Sequence, residues 1–194
     1  MGSNPITDNQ FKELIMTTTD EIILSPWSDR DISLMCEAVR ESGHSMKPWI
    51  SWYSDDYSEK DSEKFIRISQ KTFGKTWHSF AIYHINGKLL GSISVSVTAK
   101  MGVIGYWIRQ SEQRKGVVTA ALELILSYSF NYLKLDRVEL IIAVDNIASR
   151  KTAEKIGATE SYTIAKHIMT ETMEHDAIVY KLERGQYDSR IITT

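Results

Sequence analysis

Residues Gln113 to Thr119, reading Gln-Arg-Lys-Gly-Val-Val-Thr, combine two features that suit an anion. They follow a β-rich run directly and open a helix-patterned one, and a helix start carries N–H groups without intrahelical acceptors together with a partial positive charge. A phosphate is the ligand such a start holds best. Gly116 lets the backbone come close, Arg114 and Lys115 add formal charge, and Val117, Val118 and Thr119 bring no competing anion into the turn. The plainer reading is a glycine turn with a solvated basic pair, and this segment alone leaves both open.

Other candidate chemistry is weaker. Gly74-Lys75-Thr76 has the ending of a Walker loop, but Ser69 stands where its first glycine belongs and a helix pattern precedes it. No G-x-G-x-x-G follows a β-rich run, which argues against a Rossmann hydride-transfer enzyme. Trp49 and Trp52 lie three apart, so on a helical turn they share a face, either walling an acceptor channel or serving as core aromatics. Asp55, Asp56, Glu59, Asp61 and Glu63 come next, as a field for a cationic acceptor or as a solvated helix start. The single Cys36 falls in an apolar-periodic stretch, so no intrachain disulfide exists and a buried thiol is expected.

The elements that must position these residues follow from periodicity. Glu21 to Pro26 reads as a strand, and Ser28 starts a helix through Ile32, Met35, Cys36 and Val39 that Gly43 should end. Ser58 and Asp61 begin a second helix through Phe65, Ile66, Ser69 and Phe73, with Gly74 at its C-terminal end. His78 to Ile85 and Lys88 to Thr98 flank the hairpin turn Asn86-Gly87, and Met101 to Ile108 supplies a third strand. Alternation of Ile93, Val95 and Val97 with Ser92, Ser94 and Ser96 predicts one buried and one polar face. A helix through Val118, Ala121, Leu122, Ile125 and Ser129 leads to the strand Arg137 to Val144. The 28 residues between Ile108 and Arg137 are enough of a crossover for two parallel strands. Asp145 and Asn146 cap a short helix ending at Gly157, and Ala158 to His167 pairs with Asp176 to Leu182 as a last hairpin.

Composition sets the outer bounds. The chain has 194 residues, 42% hydrophobic and 25% charged, which suits a single globular domain. Lys and Arg number 23 against 25 Asp and Glu, a net charge of -2 without a basic block, so nucleic acid is not an expected partner. No window approaches the roughly 18 apolar residues of a membrane span and no signal-peptide pattern opens the chain, so a cytoplasmic protein away from the membrane is expected. Residues 1–20 read as an arm, 21–182 as the domain and 183–194 as a tail.

Four segments together carry a family resemblance. Gly105-Tyr106-Trp107-Ile108, then Gln113-x-x-Gly116-x-Val118, then Asp145-Asn146-x-x-Ser149 with Glu154-Lys155-x-Gly157, resemble in order and spacing the core motifs of the GNAT acetyltransferase superfamily. Trp49, Trp52 and Asp176 to Tyr180 resemble its RimJ/RimL-type branch, which acetylates protein N-termini. The likeness spans 21–182 and is strongest over 105–157. The family's loop pattern Q/R-x-x-G-x-G/A is broken at Val118, which keeps its N–H but narrows the approach of a phosphate.

That resemblance implies a mixed α/β (α+β) fold with a central, mostly antiparallel twisted sheet, one parallel pair of splayed strands, and flanking helices. It implies acetyl-CoA as acetyl donor, direct transfer to an amine, and no metal. Tyr106, Trp107 and Ile108 would pair with the pantetheine arm. The loop Gln113, Arg114, Lys115, Gly116, Val117, Val118 and Thr119 would hold the pyrophosphate, with Asn146 on the cofactor side. Ser149 would protonate the departing thiolate, His167 falls near where the branch can place a base, and Trp49 with Trp52 would face the acceptor. The expected acceptor is a protein N-terminal α-amine; a polyamine or other small amine, or a non-catalytic acetyl-CoA sensor, are the alternatives, and a homodimer is left open.

Overall fold

The computed structural model describes residues 16–17, 21–171 and 173–192. The strands are β1 (Met16–Thr17), β2 (Ile22–Pro26), β3 (Trp77–His84), β4 (Leu89–Thr98), β5 (Met101–Ile108), β6 (Arg137–Ala143), β7 (Thr159–Met169) and β8 (Glu174–Glu183). The helices are α1 (Ile32–Met46), α2 (Glu59–Thr72), α3 (Val117–Ser127), α4 (Ile147–Lys155) and α5 (Arg184–Ile192). One sheet takes all the strands in the order β1-β2-β3-β4-β5-β6-β8-β7. Every neighbouring pair is antiparallel except β5 and β6, which the crossover through α3 makes parallel. The mixed fold with one parallel pair is therefore present as expected.

Both faces of the central strands are covered, whereas β7 at the edge is largely exposed. Leu122 and Ile125 of α3 pack on Phe80, Ile93, Ile104 and Leu140 in the larger core, while Met35, Val39 and Ile66 of α1 and α2 cover Ala81, Leu89 and Trp107 on the other face. The expected polar face of β4 is consequently absent at Ser92, which is buried and donates from Oγ to the Phe80 carbonyl at 3.1 Å. Ser79 is buried as well and accepts from Trp27 Nε1 at 3.1 Å. Serine tolerates such positions because its one hydroxyl finds a local partner.

The helix starts carry reciprocal capping boxes. At Ser58 the backbone N–H donates to Asp61 Oδ2 at 2.9 Å, and Ser28 makes the same arrangement with Asp31 ahead of α1. Helix α1 does not end at Gly43 but runs on to Met46. A Cβ on Gly43 would lie 1.9 Å from the Tyr53 hydroxyl, so the glycine is there to let that ring lie against the helix backbone. Close packing, rather than termination, explains this residue.

The two chain ends also differ from the sequence reading. Met16–Thr17, within the expected arm, pairs with β2, whereas residues 1–15 and 18–20 lie outside the described residues. The expected tail is α5, a docked helix rather than a loose end. Tyr187 is buried and stacks on Phe130 at 4.7 Å between centroids, Arg184 donates to the Phe130 and Leu135 carbonyls, and Arg190 pairs with Glu123.

The glycines make this packing testable. In a helix interior, glycine to alanine ordinarily stabilises by roughly 0.5–1 kcal/mol. Gly185 of α5 has nothing within 4 Å of a would-be Cβ, so Gly185→Ala should raise stability by about that amount. Gly43→Ala should instead lower it by about 1–3 kcal/mol through overpacking against Tyr53. Urea unfolding of both variants checks the opposite signs, and adding Tyr53→Ala to Gly43→Ala should remove the latter's penalty.

Candidate active site

Strands β5 and β6 pair only at Met101↔Arg137, Gly102↔Val138 and Val103↔Glu139. Beyond that point β5 continues to Ile108 bound to β4, and β6 continues to Ala143 bound to β8, but not to each other. Each strand keeps its outer partner while the inner ladder stops, so a wedge opens between them. Gly91 keeps β5 on the β4 side, since a Cβ there would stand 2.2 Å from the Trp107 carbonyl oxygen. Alternate backbone N–H and C=O groups of β5 that face the wedge have lost their ladder partners and can pair with an amide-bearing chain.

The loop Arg109 to Gly116 sits at the end of β5. Arg109, itself buried, donates from Nη1 to Glu37 and Glu41 of α1 at 2.8 Å each. Gln110 N donates to Ser42 Oγ at 3.0 Å, Ser111 N to Glu41 at 3.1 Å, and Gln113 Nε2 to Ser45 Oγ at 3.3 Å. Burial acts to raise the Glu41 carboxyl, but hydrogen bonds from Ser111 and the Arg109 charge outweigh it and hold the group below its ordinary range. The C-terminal half of α1 thus fixes the path of the loop.

Arg114 and Gly116 then turn through left-handed backbone, with φ of 63° and 83°. Such turns gather successive N–H groups into an anion-binding concavity. The amides of Val117, Val118 and Thr119 find no acceptor among the described residues, because the first intrahelical bond runs from Ala120 N to the Gly116 carbonyl. The Val118 side chain packs against the larger core, which leaves its N–H with the loop. Lys115 pairs with Glu112 at 3.1 Å, and Lys88 pairs with the same carboxylate. Burial acts against ionisation of Glu112, yet the Lys88 hydrogen bond dominates and keeps it below the usual carboxylate range. Arg114 makes no ion pair among the described residues, so of the basic pair it is the one whose charge is uncommitted.

Across the wedge stands the start of α4. Asn146 Oδ1 accepts from Ser149 N at 3.1 Å, so this asparagine is the helix cap. Tyr106 of β5 reaches toward Ser149 and Thr152. Burial pushes its phenol up, with the two hydroxyls beside it pulling the other way. The Tyr106 hydroxyl is buried without a well-formed hydrogen bond, and Ser149 is half-buried. The structure thereby brings Tyr106 and Ser149 together, with a phenol that stays protonated at neutral pH.

The acceptor side differs from the sequence expectation. Trp49 and Trp52 lie on irregular turns after α1, not on one helical face, and their rings go to different places. Trp52 lies 6.5 Å from Trp107 of β5 and 6.4 Å from Phe65 of α2, whereas Trp49 lies 5.3 Å from His175 of β8. The segment 47–57 therefore touches the β5 side and the β8 side of the wedge at once. Lys47 ties it down further by pairing with Asp55 and, at 3.5 Å, with Glu171 in the β7–β8 turn.

The acidic cluster is largely committed locally: Asp61 caps α2, Glu59 accepts from Ser33 at 2.6 Å, Glu63 pairs with Arg67, and Asp55 pairs with Lys47. His167 is exposed on β7, at the sheet edge and one strand removed from β6. His175, which precedes the strand expected from Asp176, is buried near the start of β8, beside the open end of β6. Its only sequence signal was its place directly before Asp176, where the last strand was expected to begin.

With this geometry in view, the comparisons are consistent. Residues 21–159 match the model of the acetyltransferase (GNAT) domain. The chain belongs to the GNAT acetyltransferase family. It is 33% identical to YdaF of Bacillus subtilis (strain 168) over 164 residues, covering 82% of this chain and 89% of that one. It is 26% identical to the ribosomal-protein-serine acetyltransferase of Escherichia coli (strain K12) over 122 residues, covering 57% and 66%. Mycobacterium smegmatis RimJ, solved in complex with a CoA-disulfide, superimposes with a TM-score of 0.78 at 19% identity, covering 89% of this chain and 88% of that one. The GNAT chain is thus an acyltransferase of the RimJ/RimL-type branch, built on that branch's fold.

The unequal commitment of the two basic residues gives a test. Pyrophosphate, a minimal probe of the loop, should bind several-fold more weakly to Arg114→Ala. Lys115→Ala should change binding by about twofold or less, because Glu112 already draws that charge away. Calorimetric titration of both variants against the parent chain checks the order.

Proposed function

We propose that this acyltransferase moves the acetyl group of acetyl-CoA onto the α-amine of a protein N-terminus. The wedge between β5 and β6 carries the reading. It is flanked at one end by the unpartnered amides of Val117 to Thr119 and along one wall by the Tyr106–Ser149 pair. The residues present fit acetyl-CoA: Arg114 and the α3 start for the pyrophosphate, the wedge-facing backbone of β5 for the pantetheine amides. Acetyl-CoA supplies an activated acyl carbon and a thiolate leaving group. The chain's own groups bind and orient it, exclude water, and deliver a proton to sulfur.

Ser149 delivers that proton. Its hydroxyl adjoins the Tyr106 phenol, which burial keeps neutral and which can replace the proton lost. The cap from Asn146 holds the Ser149 backbone and so the direction of its side chain. Trp49 and Trp52 bound the mouth where an amine enters.

Two observations favour a protein α-amine over a polyamine. The carboxylates from Asp55 to Glu63 that could have attracted a polycation are mostly engaged by Lys47, Ser33, Arg67 and the α2 cap. The relative from E. coli is named for acetylating a ribosomal protein. Chemistry agrees, since at pH 7 an α-amine is about one-tenth neutral and a lysine side chain about 0.04%, a difference worth about 3 kcal/mol before any contact.

Acetyl-CoA should raise Tm, as any ligand bound only by the folded state does. Ser149→Ala should keep that shift while kcat falls about 10²-fold; wild-type turnover would reduce Ser149 to a helix-start residue. For the acceptor, kcat/KM of an N-terminal Ser or Ala peptide should exceed that of its Nα-blocked lysine counterpart and of spermidine by tenfold or more. Spermidine winning by that margin replaces the α-amine with a polyamine. A retained Tm shift with no transfer to any amine makes the domain a sensor.

A further inference from the structure

Five buried side-chain atoms lack a hydrogen-bond partner among the described residues, on Tyr106, Trp107, Arg109, Ser129 and His175. An unsatisfied buried polar atom is costly, so each calls for a reason. Of the five groups only an imidazole has an ordinary pKa that exchanges protons near pH 7. Its Nε2 is the unpartnered atom, and the residue is 4% exposed.

The surroundings give that nitrogen a defined state. His175 stands at the start of β8, just ahead of the pair Ala177↔Ala143 at the open end of β6. Its Nδ1 lies 3.7 Å from Asp145 Oδ2, and its ring rests against Trp49. A carboxylate beside Nδ1 favours the tautomer with the proton on Nδ1, which leaves a lone pair on Nε2. Charges on the elements around it are paired with one another: Lys166 of β7 with Glu174, the Lys166 N–H with Asp176, and Lys47 with Asp55 and Glu171. Asp145 is the charged group paired with the ring among the described residues.

We propose that His175 is the base that takes the proton from the acceptor ammonium, with Asp145 as the residue that orients it and Trp49 as its seat. This rests on the transfer reading above. The ammonium R–NH3+ gives one proton to Nε2, making an imidazolium that faces the Asp145 carboxylate. The neutral amine then forms the C–N bond as the C–S bond breaks. On collapse the nitrogen's second proton passes to the Ser149–Tyr106 pair, replacing the one that Ser149 delivers to sulfur, and the proton on His175 leaves to solvent. Acid and base are thereby separate: a buried phenol behind Ser149 on the β5 side, and an imidazole on the β8 side.

The test uses the full chain with acetyl-CoA and an N-terminal Ser peptide. His175→Gln should keep the Tm shift with acetyl-CoA and lose about 10²-fold in kcat/KM. Its pH profile should follow only the acceptor amine's own pKa near 8. Imidazole added to His175→Ala should restore turnover in proportion to its free base, which a merely structural histidine would not allow. Asp145→Ala, which removes the carboxylate beside Nδ1, should keep the Tm shift with acetyl-CoA while reducing the share of the Nδ1–H tautomer at His175. Nitrogen-15 NMR of wild-type histidines should show the Nδ1–H tautomer at His175, which decides the matter even where a His175 variant fails to fold. An Nε2–H tautomer, or wild-type rate and profile in His175→Gln while the parent chain transfers acetyl, overturns the role of His175 alone. A parent chain that binds acetyl-CoA yet acetylates no amine overturns the transfer reading and the base with it.

Discussion

Everything at the candidate site depends on the divergence of two parallel strands that are each held from outside. A parallel pair normally continues its ladder, because unpaired buried backbone groups are costly. Here β4 grips β5 to Ile108 and β8 grips β6 to Ala143, so the outer ladders compensate for the inner one that is lost. The separation is bounded at its closed end by three residue pairs and at its open end by helix starts. A helix start offers several unpaired backbone donors together, so the fold delivers its anion site and its backbone-pairing edge from a single geometric fact.

The positive end of the wedge is assembled with its charges already assigned. Arg109 is buried between Glu37 and Glu41, and those carboxylates in turn grip the backbone that leads to Gly116. Glu112 is shared by Lys88 and Lys115. Among the described residues, what remains uncommitted is Arg114 and the helix amides, a small and directional positive field rather than a broad basic surface. That agrees with the chain's net charge of -2, since an anion site needs local donors and not a basic protein.

The strands, the helices and the loop at Gly116 were legible because their signals are local: period, caps and turn residues within a few positions of one another. The capping box at Ser58 and Asp61 and the hairpin at Asn86-Gly87 are such cases. The readings that failed depended on what lies across space. Gly43 looks like a helix end until the Tyr53 ring is seen against it, and Ser92 looks like a polar-face residue until α1 and α2 cover that face. Residues 183–194 read as a tail because the partners of Arg184 and Tyr187, Phe130 and Leu135, lie more than 45 positions away. His175 was hidden for the same reason, its neighbours Trp49 and Asp145 being distant in sequence, while His167 is more prominent in the strand pattern and stands exposed at the edge.

The dipeptide Asp145-Asn146 shows how few positions connect the two sides of the wedge. Both follow the last residue of β6 closely and precede α4, so the end of one strand and the start of one helix fix them together. Asn146 turns its side chain to the Ser149 amide, and Asp145 turns its carboxylate to the His175 ring. One residue therefore sets the group beside Tyr106 and the next contacts the imidazole on β8. A shift of β6 along its neighbours would displace both at once, and the seven pairs from Arg137↔Glu183 to Ala143↔Ala177 are what resist it. Long antiparallel pairing on the outer side of β6 is thus the condition for a defined distance across the gap on its inner side.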